Sequence, residues 1–264
     1  MRSCIFVDGE NFRHSLLDLL QPEFDRDDYL PKTARWRDFY DFLAHECYGS
    51  ERLRTYWYVV QHIDFRPYKL PMQDADTAEL IRILSEFQPF ETQINEAAPH
   101  QKEAARRIAT TLITGRKILK SRFEGWETLQ NGIALAHEAI EFRRSGAIPY
   151  DLFNRDFGTE KAVDVKLAVD LLELADNYDV AIIVSGDGDY VPVVQAVKDL
   201  GKRVVNVSFL TRGGRMLPGG ARRLNIITDK ALSVEYDQLK AFMLPTQQAL
   251  PLSVTPPPQS PSAN

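Results

Sequence analysis

Apolar positions along this chain follow two rhythms. Cys4 to Val7 is a short continuous apolar run, and Leu53 to Val60 is a second segment rich in Tyr, Trp and Val; both predict strands. Between them, the segment after Asn11 predicts a helix to about Leu20. Trp36, Phe39, Phe42 and Leu43 recur at helical spacing over Trp36 to Tyr48, which predicts a helix packed on a sheet. Pro22 to Pro31 is a polar, Asp-rich break. From Phe65 to about Gly146 the pattern predicts three helices, near 74–88, 99–120 and 123–145, and no strand: a helical insertion. Ala147 to Asn154 reads as a strand or an extended connector.

From Lys161 the pattern is regular. Residues 162–176 are apolar almost all round, which predicts a deeply buried helix. Asp179 to Ser185 predicts a parallel strand covered on both faces. Tyr190 to Leu200 predicts a helix stopped by Gly201, and Arg203 to Phe209 the next strand. Strand, helix and strand at this spacing form a right-handed βαβ unit. Leu224 to Thr228 predicts a last strand, followed by a short helix near 232–243. Pro, Ser and Gln dominate after Pro245, so 245–264 is expected to be a disordered tail. The fold class is α/β with a mostly parallel sheet.

Length and composition narrow the functional classes. With 264 residues, 44% of them hydrophobic, the chain can bury one good core and carry an insertion. Its net charge of −5 means that any attraction to nucleic acid must be local. Two cysteines, Cys4 and Cys47, build no disulfide framework and suit a reducing cytosol as small core residues. No signal-peptide pattern and no apolar run of about 20 residues is seen, so a cytoplasmic protein away from membranes is expected.

The chemistry concentrates in three acidic clusters at the edges of apolar segments. Ile5-Phe6-Val7 runs into Asp8-Gly9-Glu10-Asn11, Val163-Asp164 opens the apolar helix, and Val184 runs into Ser185-Gly186-Asp187-Gly188-Asp189. Open parallel sheets bind ligands at the carboxyl ends of their strands. If the three clusters converge, their carboxylates repel one another unless they hold cations, and oxygen donors suit Mg²⁺ or Mn²⁺.

Each cluster also has a plain structural reading. Asp8 can serve as a helix N-cap and Asp189 can cap the helix that holds Pro192 in its first turn. Asp164 is favoured by a helix dipole. Asp187 precedes the expected cap, which leaves a functional role as its stronger reading. Ser185 can bind metal or phosphate, or hydrogen-bond its turn. Lys161 can neutralise the pocket or contact phosphate, or end in solvent. Asp170 lies off the Asp164 face and is expected to be solvated or ion-paired.

The histidines are isolated and no zinc spacing, P-loop, GxGxxG or GxSxG motif is present, so those chemistries lose their support. Basic residues gather in two places. Lys102, Arg106, Arg107, Arg116, Lys117, Lys120 and Arg122 share one helical stretch; Arg212, Arg215, Arg222 and Arg223 lie around the glycines 213–214 and 219–220. Such runs usually form a solvated face, but beside an acidic metal pocket they also suit a phosphate-backbone track. Tyr56, Trp57, Tyr58 and Trp126 carry rings able to stack on bases, with core packing the competing account for the strand members.

These motifs together resemble a known family. Phe6-Val7-Asp8-Gly9-Glu10-Asn11-Phe12, Lys161-Ala162-Val163-Asp164-Val165 and Val184-Ser185-Gly186-Asp187-Gly188-Asp189-Tyr190-Val191-Pro192 are similar, in order and spacing, to the motif series of the NYN domain, in the LabA-like branch of the PIN-like nuclease superfamily. The family's usual Gly before Val is Ala162 here. The resemblance implies a three-layer α/β/α PIN-like domain over 1–62 and 150–244, with 63–149 as a helical insertion that can reshape the substrate groove. It implies a metal-dependent ribonuclease using Mg²⁺ or Mn²⁺. Carried over by position, Asp8, Asp164, Asp187 and Asp189 form the acidic centre, Asp8, Asp164 and Asp187 hold the metal, and Asn11 and Ser185 give polar support. Arg106, Arg107, Arg212 and Arg215 are the candidate RNA contacts, for single-stranded or structured RNA. A catalytically weak or silent RNA- or protein-binding module and a small-molecule phosphatase are the rival readings. The insertion is as able to form a homo-oligomer interface as an RNA clamp.

Overall fold

Side chains alternate across a strand, and here both faces of the central strands are apolar. Ile5 and Val7 point to one side and Cys4 and Phe6 to the other; Val180, Ile182 and Val184 oppose Ala181 and Ile183 in the same way. Such strands need a helical cover on each face, and the computed structural model has one. It describes residues 1–21, 23–24, 29–67 and 76–245. The expected disordered tail falls almost wholly outside these residues, as does part of the Asp-rich break.

The elements run β1 (Arg2–Asp8), α1 (Gly9–Leu20), α2 (Trp36–Glu46), β2 (Glu51–Arg66), α3 (Thr77–Leu84), α4 (Gln88–Glu96), α5 (Gln101–Ala136), β3 (Ile140–Asp151), β4 (Asp156–Phe157), α6 (Val163–Glu173), β5 (Val180–Val184), α7 (Val191–Asp199), β6 (Arg203–Leu210), β7 (Met216–Leu217), α8 (Ala221–Ile227), β8 (Lys230–Glu235) and α9 (Tyr236–Met243). Among the described residues they form one eight-stranded sheet in the order β4-β3-β2-β1-β5-β6-β7, with β8 also on β6. Pairing is parallel except at β3–β4 and β6–β7. The chain moves outward one way from β1 through β2 to β3, then returns to β5 on the other side of β1 and moves outward through β6. The reversal between β1 and β5 is a topological switch point, where a crevice opens at the strands' carboxyl ends.

One core joins α1, α2 and α9 to the sheet through Phe12, Trp36, Phe39, Trp57 and Phe209. The other joins α6, α7 and α8 through Phe6, Tyr58, Leu167, Val194 and Leu224. A third, smaller cluster, including Leu80, Leu84, Ile94 and Ile108, belongs to α3, α4 and the first half of α5. The architecture is the expected α/β fold with a mostly parallel sheet between two helical layers. Cys4 and Cys47 are free and buried.

Several sequence expectations need correction. The helices expected at 99–120 and 123–145 are one 36-residue helix, α5, since nothing between them breaks the backbone pattern. The element after α5 is a strand: β3 pairs in parallel with β2 from Thr55↔Ile140 to Arg66↔Asp151, so its start, 140–146, falls in the segment expected to be purely helical and its end in the strand or connector expected from Ala147. Arg143 and Arg144 hide it in the sequence, because they spoil the apolar run. Arg143 is anchored by Asp170, and Arg144 donates to Gln130 Oε1 at 2.9 Å. At the other edge, 221–227 is the helix α8, and the last strand is β8. The helix α6 is not buried all round: Val165, Val169 and Leu172 face outward at 63%, 39% and 42% exposure. Asp170 is ion-paired but not solvated. It is buried against Arg143, Lys166 at 2.7 Å and the Tyr58 hydroxyl at 2.9 Å. Burial pushes its carboxyl up, but these donors outweigh burial and hold it below the usual range.

Gly9 starts α1 directly after Asp8, and a Cβ there would sit 2.3 Å from the Tyr58 carbonyl oxygen and 2.9 Å from Val59 Cγ1. The close approach of α1 to β2 requires glycine. Gly9→Ala is therefore expected to cost about 1–3 kcal/mol of stability. Denaturant unfolding measures this, and an unchanged midpoint would show that α1 can move off β2 freely.

Candidate acidic site

The strands β1 and β5 are adjacent and in register to Val7↔Val184, so the next residues of each, Asp8 and Ser185, meet at the switch point. Asp8 is fully buried and is the N-cap of α1, accepting from Asn11 N at 3.2 Å. Its other oxygen accepts from Asn11 Nδ2 at 2.7 Å and from the Ser185 hydroxyl at 2.8 Å. Ser185 Oγ in turn accepts from Asp187 N at 3.0 Å. The cap reading and the cluster reading of Asp8 thus hold together.

Asp187 also has a structural task. It caps the single 3₁₀ turn at Gly188–Tyr190, accepting from Asp189 N at 2.8 Å. Asp189 is exposed and makes no side-chain cap on α7, whose first turn holds Pro192. The capping roles expected of these two aspartates are reversed. The glycines on either side of Asp187 serve close approach rather than an unusual backbone angle. A Cβ on Gly186 would meet Pro218 at 2.6 Å, and one on Gly188 would meet Arg223 at 3.0 Å. Arg223 therefore lies directly over the Asp187–Asp189 turn.

Asp164 sits in the first turn of α6 and accepts from the Tyr190 hydroxyl at 2.9 Å. Asn11, Asp164 and Asp187 line one cleft of about 430 Å³ together with Glu10, Asp18 and Glu160. Ile148 of β3 and Gly158–Glu160, just after β4, supply one wall. Glu160 is not among the residues the sequence singles out, and its only signal is its place immediately before Lys161. Its Oε2 is buried with no hydrogen-bond partner.

The electrostatics arise from this crowding. Burial pushes the Asp8 carboxyl up to about 7, helped by the charges of Asp164 and Asp187 and opposed by Ser185 and Asn11. Burial and the charges of Asp8, Glu10, Asp164 and Asp187 push Glu160 up to about 8. Asp164 is raised by burial and by Asp187 and Asp189, against the Tyr190 hydrogen bond. Oxygen donors that repel one another, one of them orphaned, fit a hard divalent cation. Among the described residues no three His, Cys, Asp or Glu side chains stand close enough to share one ion. A divalent ion here would be held by one or two of these carboxylates, with water completing its oxygen ligands.

The candidate RNA contacts are dispersed. Arg215 pairs with Asp18, a lining residue of the cleft, at 3.4 Å. Arg212 pairs with Asp237 at 3.8 Å and lies 4.2 Å from the Tyr236 ring centroid. Acids distant in sequence thus answer a loop that looks purely basic in the sequence. Arg106 and Arg107 are exposed near the start of α5 beside α3, where Arg106 donates to Thr77. At 1.5 Å per residue they lie roughly 30 Å along the helix from Trp126. No helix among the described residues is long and apolar enough to cross a membrane.

The model of the NYN domain family matches residues 96–216, which include Glu160, Asp164, Ser185, Asp187 and Asp189. Asp8 and its strand lie outside the match, and no branch within the family is assigned by it. No curated protein matches the chain. A solved structure described as a protein of unknown function, VPA0982 from Vibrio parahaemolyticus RIMD 2210633, is 16% identical. That alignment covers 88% of this chain and 92% of the other, with a TM-score of 0.40. The matched residues thus bring the second and third acidic motifs to the switch point of a mostly parallel α/β sheet, and this part of the chain is similar to the NYN domain.

Proposed function

We propose that the chain is a metal-dependent ribonuclease that hydrolyses RNA phosphodiester bonds at the acidic cleft. NYN domains are typically nucleases and generally use divalent metals. The observation that carries the reading is the convergence of Glu10, Asp18, Glu160, Asp164 and Asp187 on one cleft, where the charges of Asp164 and Asp187 help to raise both Glu160 and the buried Asp8. Fixed carboxylates that destabilise one another imply a cationic occupant, and perturbed acids in a cleft mark functional sites.

Asp8, Asp164 and Asp187 are the residues to hold Mg²⁺ or Mn²⁺, directly or through water. When bound, the ion supplies Lewis acidity to the phosphoryl oxygens and lowers the pKa of water. Ser185 and Asn11 fix the Asp8 carboxylate by three hydrogen bonds. Tyr190 orients Asp164. Glu160 Oε2, unpartnered, would be free to take a proton from water once a bound cation brings its carboxyl down from about 8. Arg215 and Arg223 stand at the cleft's edge to meet the phosphate backbone, and Asp189 orients water or supports a second ion. Cytoplasmic RNA, single-stranded or structured, is the proposed substrate.

A second reading has one observation in its favour. The absence of a three-ligand cluster among the described residues suits a catalytically weak or silent RNA- or protein-binding module. Cleavage of labelled single-stranded RNA with Mn²⁺, with Mg²⁺ and with EDTA separates the two. Metal-dependent cutting is expected, lost in Asp187→Asn and reduced roughly 10- to 100-fold in Ser185→Ala, which acts through Asp8. Equal traces of cutting by wild type and Asp187→Asn, with RNA binding retained, would establish the binding module.

The pH dependence has a definite sign. The Asp8 carboxyl holds its proton to about pH 7 in the fold, against an ordinary 3.8. Between those values the folded chain binds more protons than the unfolded one, so stability falls as pH rises through the window. The full term is on the order of 4 kcal/mol. In chelator, the stability of wild type relative to Asp8→Asn is expected to drop from pH 5 to pH 8 and to recover on adding Mn²⁺. A constant difference across that range would show that Asp8 titrates as an ordinary carboxyl.

A further inference from the structure

Next to the acidic cleft lies a second cavity of about 320 Å³. It runs between the second half of α5, which presents Phe123 and Trp126, and the sheet edge, which presents Ile148 and Phe157. Glu10, His14, Ile148 and Gly158 line both cavities, so the slot and the cleft are continuous. Its walls are flat and aromatic. Trp126 stacks on Tyr29 with ring centroids 4.8 Å apart and planes 16° from parallel. Phe157 remains 39% exposed at the mouth of the slot, where its ring is open to a ligand. The Arg13 guanidinium lies 5.7 Å from the Tyr29 ring centroid and 6.0 Å from that of Trp126. It is held by Glu10 at 3.0 Å.

We infer that this slot is a nucleobase subsite: it takes one base of the nucleic-acid strand whose phosphate lies in the acidic cleft. The inference rests on reading that cleft as an RNA-cleaving centre and adds what the strand does beside it. A flat, aromatic, partly open slot matches the shape and π-face of a base, and stacking of this kind tolerates any base. Arg13 places a positive group among the rings, where a strand entering the slot brings its own phosphate. An apolar peptide side chain would match the rings but would make no use of the wall shared with the acidic cleft. The insertion therefore has a role in substrate binding through α5: its Phe123 and Trp126 wall the slot, while its distant half packs on α3 and α4.

Tryptophan emission reports on the slot directly. The chain has three tryptophans, of which Trp36 and Trp57 are sealed in the core, leaving Trp126 for a bound base to quench. The full chain carrying Asp187→Asn is titrated with a hexaadenylate and with a ribose-phosphate oligomer of the same length that lacks bases. The expected result is quenching and binding by the hexaadenylate, with the base-free oligomer roughly 5- to 100-fold weaker and silent in emission. Trp126→Phe should abolish the quench. Phe157→Ser, at an exposed ring whose removal spares the core, should weaken binding several-fold. Equal binding of the two oligomers, or a quench that survives Trp126→Phe, overturns the proposal, as does quenching by an apolar peptide and not by the hexaadenylate. RNA cleavage by the wild type is scored in parallel. Cutting without base-dependent binding refutes the slot and keeps the nuclease; base-dependent quenching without cutting refutes the nuclease and keeps the slot.

Discussion

One contact organises the site: the Ser185 hydroxyl donates to Asp8 while accepting from the Asp187 amide. It ties the end of β1 to the turn after β5, across the crevice where the chain reverses direction. A buried carboxylate is costly unless its lone pairs are met, and Asp8 is met by three donors. Even so, its carboxyl remains well above the usual range, because burial and the neighbouring acids outweigh those bonds. The fold thus holds a carboxylate cluster in an unfavourable state of charge. Strain of this electrostatic kind is relieved by protonation or by a cation, and the rigid parallel strands prevent relief by movement.

How much of this is legible in the sequence depends on the type of signal. The central strands β1, β5 and β6 are readable because parallel strands covered on both faces leave continuous apolar runs. Asp8, Ser185 and Asp187 are readable because they follow such runs, and strand ends of this topology share one edge; Asp164 is readable because it opens the apolar pattern of α6. Glu160 is not, because its position depends on the β3–β4 hairpin, which carries no apolar run. The strand β3 itself is hidden by Arg143 and Arg144. Their charges are neutralised by Asp170 and met by Gln130, partners far away in sequence or on another element. Likewise the Arg212–Arg215 loop looks uncompensated because Asp237 and Asp18 reach it only through the fold.

Asp170 shows why acidic residues on one helix can have opposite fates. Asp164 and Asp170 are both on α6, six residues apart, and therefore on different faces. Asp170 meets two cations and a hydroxyl, and its carboxyl is held down. Asp164 meets one hydroxyl and two like charges, and its carboxyl is held up. The first is a structural tie between α6 and the β2–β3 pair; the second is left with an unmet charge facing the cleft. Environment, not residue type, separates the two.

The family match begins at residue 96, at the end of α4, yet the physical unit cannot begin there. In the sheet order β3-β2-β1-β5, the strands β1 and β2 lie between the two matched strands β3 and β5. Without them β3 and β5 would each lose a parallel partner, and Ser185 would lose Asp8. The first 66 residues therefore complete both the sheet and the acidic cluster. The long helix α5 then returns the chain across the sheet edge, so its aromatic end stands beside the crevice that β1 and β5 create. Connectivity places α5 at the site, and the half-buried rings of Phe123 and Trp126 stand there as a consequence of where the chain must re-enter the sheet.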